Sequence, residues 1–154
     1  MPTKKDALHG PDHHDAEILL KLYELRRETE MRKARDWCTL EFRPASAEDV
    51  LALLRDTGKT DHNRWFRQFV TYYEMVASLV LRGILDRDLL EDSVGEYIGF
   101  YALLKPFLKQ VREAMRLPSF MKNIERLVEE SQRGRDHLAA IEKWLAAGKS
   151  SQKA

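Results

Sequence analysis

Arg67 and Glu74 are the charges whose setting in the chain most clearly asks for chemistry. They stand among Trp65, Phe66, Phe69, Val70, Tyr72, Tyr73, Met75, Val76, Ala77, Leu79, Val80 and Leu81. On a helix advancing about 100° per residue they project from one side, with Thr71 between them and Arg64 one turn before Arg67. A helix apolar all round has to be enclosed by other helices. A charge carried into that interior is costly unless it is paired and hydrogen-bonded. Arg67 and Glu74 are too far apart to pair directly, so each needs a third group. Arg26, Arg27 or Arg112 could lie against Glu74, and Asp36, Glu96 or Tyr101 against Arg67. The sequence therefore predicts a buried polar cluster or cleft holding Arg64, Arg67, Tyr73, Glu74 and Arg112, in which Glu74 contacts an Arg of another helix. One form is a bridge that sets helix register. The other is a small cleft, walled by Trp65, Tyr72 and Tyr73, that admits an anionic group or a partner's side chain.

Lys105, Lys109, Arg112 and Arg116 follow helical steps, diluted only by Glu113, and form a candidate anion-binding stripe. Arg26, Arg27, Arg32, Lys33 and Arg35 crowd an earlier segment. Glu24, Glu28, Glu30 and Asp36 stand among them, and Glu28 with Arg32 has the spacing of a salt-bridged solvent face. The aromatic residues interleave with the segment around Glu74 and not with the basic stripe, which weighs against a nucleic-acid partner. His9, His13 and His14 sit with Asp12, Asp15 and Glu17, and His13 and Glu17 are spaced to share a metal. No second cluster supplies the remaining ligands, so no metal site is assigned. Cys38 lies on an apolar helical stripe, where a thiol behaves as a small hydrophobe. No nucleophile elbow, phosphate loop or Glu-x-x-His pattern occurs. The expectation is a non-enzymatic protein with no catalytic residue and no cofactor.

With 26 basic and 25 acidic residues the net charge is +1, so bulk electrostatics favours neither a nucleic acid nor an anionic membrane. The hydrophobic share of 44% with only seven Gly and five Pro fits a helical globule better than a disordered or β-rich chain. A single Cys excludes an internal disulfide and suits the reducing cytoplasm. No apolar stretch follows Lys4 and Lys5, so no secretory signal is expected. The longest apolar run, Met75 to Leu81, falls far short of the roughly 20 residues a membrane span needs.

The elements follow from caps and stops. A tail over 1–11 precedes a helix from Asp12 to about Phe42, stopped by Pro44. Ser46 and Asp49 imitate a capping box for a short helix through Leu54. Asp61 caps the central helix, which runs to Arg82 with Gly83 as its stop. Asp86 starts a short helix through Leu90, and Ser93 opens a long segment through Arg116 that Pro106 must bend or break. Ser119 opens a last helix to about Ala147, interrupted or not at Gly134, and 148–154 forms a second tail. The predicted fold is a single all-α domain over 12–147: a bundle of five to seven helices around a buried helix at 61–82, with long helices at both ends. Along the first helix the apolar side changes. Ile18, Leu22 and Leu25 share one face and Met31, Ala34 and Cys38 the other, so the helix either bends or reaches a second partner.

Asn63-Arg64-Trp65-Phe66-Arg67, Tyr72-Tyr73-Glu74-x-x-Ala77, Gly83-Ile84-Leu85-Asp86 and Leu104-Lys105-Pro106-Phe107 with Arg112 resemble a family of small bacterial helical domains of unknown function. The resemblance covers about 63–116 and implies an all-helical fold without implying an activity. Such proteins often carry a membrane helix in front; none is expected here, so membrane association is not carried over from the resemblance.

The functional expectation is a cytoplasmic interaction or scaffold protein that pairs with itself, most simply as a two-fold dimer, through its first or last long helix. The alternative is an anionic ligand or nucleic acid held by the Arg/Glu cleft or by the stripe 105–116.

Overall fold

The computed structural model describes residues 10–151, so residues 1–9, His9 among them, and 152–154 of the tails expected over 1–11 and 148–154 lie outside the described residues. The described residues are helical, with no strand among them: α1 His13–Arg26, α2 Thr29–Asp36, α3 Ala47–Arg55, α4 Asp61–Leu81, α5 Arg87–Ser93, α6 Glu96–Leu104, α7 Leu108–Met115, α8 Lys122–Glu129 and α9 Gln132–Ser151. None is long and apolar enough to cross a membrane.

The long first helix expected from Asp12 is two helices. Residues 26–30 offer no apolar side chain to bury, and Glu28 turns extended to accept the Met31 amide as the cap of α2. The change of apolar side is thus a break, after which Met31 and Ala34 pack inward. Asp12 caps α1 as expected, and Ser46 with Asp49 forms a reciprocal capping box on α3. Thr60, not Asp61, caps α4. Ser93 ends α5 instead of opening the next helix, which begins at Glu96 after Gly95. At Pro106 the helix gives way to a 3₁₀ turn over Lys105–Phe107, because the ring cannot donate to Ala102. The last helix breaks at Glu130 and Ser131, and α9 then continues through Ser151, past the expected start of the second tail.

α4 packs between α2 and α8. It is not apolar all round. Phe66, Phe69, Val70, Tyr73, Val76 and Ala77 are buried, while Arg64, Arg67, Thr71 and Met75 make an exposed strip. The enclosed helix is α6, which packs on α8 and α9 and buries Tyr97, Ile98, Phe100, Tyr101, Ala102 and Leu104. Its single charge is Glu96.

The corner between α8 and α9 depends on glycine. The Ser131 hydroxyl accepts the Gly134 amide at 2.9 Å and donates to Glu91 at 2.9 Å. A β-carbon on Gly134 would run into the Val128 carbonyl. Gly134→Ala is expected to lower stability by about 1–3 kcal/mol in chemical denaturation, the cost of overpacking, although alanine is the better helix former. A variant as stable as the wild type would contradict the tight corner.

Candidate functional site

Four side chains from four helices converge on the start of α6. Arg35 of α2 grips both oxygens of the Glu96 carboxylate, Nε to Oε1 at 2.7 Å and Nη2 to Oε2 at 2.9 Å. The Tyr73 hydroxyl of α4 donates to the same Oε1, and Arg26 at the end of α1 brings Nε to 3.3 Å from it. The Arg26 contact is an ion pair without hydrogen-bond geometry, and its buried Nε finds no acceptor among the described residues. The carboxylate is 16% exposed and the two Arg side chains 15% and 22%, so these charges interact through protein more than water.

Burial is the largest influence on Glu96 and raises its proton affinity. Arg35, Tyr73 and Arg26 together outweigh it and hold the carboxyl below its ordinary range. Burial, and then the neighbouring carboxylate, push the Tyr73 hydroxyl well above its ordinary value, so it stays a donor. Burial also lifts Tyr72 to about 12, and its hydroxyl donates to the Leu22 carbonyl at 2.7 Å, tying α1 to α4. The Cys38 thiol is raised far above its ordinary value by burial and stays protonated.

The cluster expected around Glu74 is dispersed. Tyr73 joins Glu96. Glu74 accepts the amides of Asn123 at 3.3 Å and Ile124 at 2.8 Å, and so caps α8, whose N-cap residue Met121 is left-handed and supplies no side-chain cap. Its carboxyl is raised because burial exceeds the help of those amides and of the more distant Arg112. Arg112 donates instead to the Phe120 carbonyl and the Glu125 carboxylate. Arg67, exposed, donates to Asn63 and to the Leu54 carbonyl, fastening α3 to α4. Arg64 pairs with Asp61 at the surface. The stripe divides in the same way. Lys105 meets Glu129 and Glu142, Arg112 is committed, and Lys109 and Arg116 remain exposed beside an open hollow. His13, His14 and Glu17 are exposed, and no group of three metal-ligating side chains forms among the described residues.

Two clefts flank the Glu96 cluster. One, of about 270 Å³, opens between α1, α4 and the end of α5, with Arg26 and Tyr73 in its lining. The other, of about 260 Å³, lies between the turn after α2, α6 and α9, with Glu96 in its lining and Trp144 on its rim, 69% exposed. The pattern that would have revealed Glu96 was the one applied to the wrong helix: a lone charge on a segment otherwise apolar all round, here 96–104.

Fold and site define an all-helical domain organised around a half-buried carboxylate. The chain belongs to the family described as Domain of unknown function (DUF4760), whose model matches residues 11–131, so α1 to α8 lie inside the match and α9 outside it. No match was found among curated proteins or among solved structures.

A carboxylate held below its ordinary range stabilises the fold fully above the unfolded value of about 4.3, and that contribution is lost as the pH falls through its lower folded value. Glu96→Gln is therefore expected to cost about 3 kcal/mol at neutral pH, with the gap to wild type narrowing below about pH 4 in urea titrations. A gap independent of pH would contradict the ionised assignment. Glu74→Ala is expected to cost only about 1–2 kcal/mol in the same assay, the size of a lost helix cap.

Proposed function

We propose that this protein is a non-enzymatic interaction module that pairs with itself two-fold through α9. The carrying observation is Trp144, 69% exposed on the rim of the cleft formed with Gly99, Phe100, Leu103, Ile141 and Leu145. A projecting tryptophan and an apolar recess on the same patch are what an isologous interface requires, since each copy can offer its ring to the other's recess. Tryptophan is also among the residue types enriched at the anchoring points of protein interfaces. A single buried, protonated Cys38 suits a reducing compartment, and a cytoplasmic location is part of the proposal.

Gly99 is a place from which to block the recess, because a β-carbon there meets no atom within 4 Å. Light scattering coupled to size exclusion is expected to show a wild-type mass rising towards twice the monomer value with concentration. Trp144→Glu, which removes the projection, and Gly99→Leu, which fills the recess, should both remain monomeric with helical circular dichroism unchanged. A wild-type mass that stays at the monomer value up to high micromolar concentration would refute self-pairing.

A further inference from the structure

The cleft between α1, α4 and α5 differs in kind from the one beside α9. Its walls are mostly apolar, with Leu19, Leu22, Val76, Leu90 and Val94 joined by the rings of Tyr23, Tyr72 and Tyr73, and Arg26 supplies the charge. The charge there does not balance. Two guanidinium groups, Arg26 and Arg35, share the one carboxylate of Glu96, and Arg35 occupies both of its oxygens. Arg26 is left 15% exposed, and its one ion-pair contact runs through a buried Nε that stands 3.3 Å from Glu96 without hydrogen-bond geometry. Its other neighbour is the Tyr23 ring, whose centroid lies 5.7 Å from the guanidinium carbon. A half-satisfied cation next to an apolar recess lacks one thing, an acceptor carrying a single negative charge.

We propose that this cleft binds a small amphipathic monoanion, an aliphatic carboxylate whose head accepts hydrogen bonds from Arg26 and whose chain lies along Leu19, Leu22, Val76, Leu90 and Val94. A guanidinium short of a hydrogen-bond acceptor matches a carboxylate, which guanidinium groups favour as a partner. A phosphate dianion would need further donors, and the lining offers no second unpaired cation. The size agrees: about 270 Å³ lies just below the roughly 300–1,000 Å³ of pockets that bury drug-sized ligands. That points to a medium-length chain and leaves no room for a bulky ring system. The apolar walls supply affinity by excluding water from the chain, and Arg26 supplies selection for the acid.

The test uses the full chain and three straight-chain probes of equal length below their micellar concentrations: decanoate, 1-decanol and decylamine. Calorimetric titration is expected to give saturable one-to-one binding of decanoate, about tenfold or more tighter than decanol, and no binding of decylamine. Amide shifts in a nitrogen-correlated NMR spectrum should concentrate in α1, α4 and α5. Arg26→Gln should bring decanoate down to the level of decanol and leave decanol unchanged, and Val94→Trp should abolish both. Should either variant fail to fold, the ranking of the three probes on the wild type decides alone. Equal affinity for acid and alcohol would mean a recess that merely takes apolar groups, including a partner's side chain, and would overturn the proposal. So would the absence of saturable binding, or shifts confined to the α9 side.

Discussion

Three helices of this domain, α1, α2 and α4, are oriented by one carboxylate. Glu96 opens the most enclosed helix, where free amides and the helix dipole already favour a negative charge. From there it draws in Arg26, Arg35 and Tyr73, so that α1, α2 and α4 are all referenced to the first turn of α6. Packing alone would let α1 slide, since Leu22 is its only fully buried apolar side chain and Leu20, Tyr23 and Leu25 stay exposed. Polar ties fix it: Arg26 to Glu96, the Leu22 carbonyl to Tyr72, and Asp15 to the Asp86 amide at 2.8 Å. A charge pair inside the protein is a poor source of raw stability but a strong one of register, because any slip strands a guanidinium or a carboxylate.

The same arrangement places the two clefts back to back. Tyr73 and Arg26 face the one between α1, α4 and α5, and Glu96 lines the groove beside Trp144. The matched family segment ends at residue 131, and α9, which forms the outer wall of the second groove, lies beyond it. Ligand selection and pairing, as proposed, would therefore use opposite sides of one polar cluster.

Much of the local structure was legible because it depends on single residues. Pro106 breaks its helix wherever it sits, Gly83 ends α4 in a left-handed turn at φ 70°, and the Ser46 and Asp49 side chains need only their own backbone. The all-helical class was legible for the same reason, from composition and spacing. The Glu96 cluster was not. Arg26 and Arg35 are nine positions apart, which on an unbroken helix is about 900° and sets them on opposite sides; they converge only because α1 stops before Glu28. Glu74 was recognisable as a charge that needs partners, but backbone amides of α8 carry no sequence signature as acceptor-seeking groups, and an Arg was the visible candidate. The enclosed helix was mistaken for α4 because its exposed strip includes Met75, which reads as core in any pattern of residue types.

The central claim is that Glu96 and Arg35 act as one interior unit and not as a surface ion pair. A double-mutant cycle measures this directly, with Glu96→Gln, Arg35→Met and the double variant compared by urea denaturation at neutral pH and moderate salt. The account predicts a coupling energy of about 2 kcal/mol or more, little reduced by added salt, with the double variant losing less than the sum of the single losses. A coupling below about 0.5 kcal/mol that vanishes with salt is the behaviour of an exposed pair, and would contradict it.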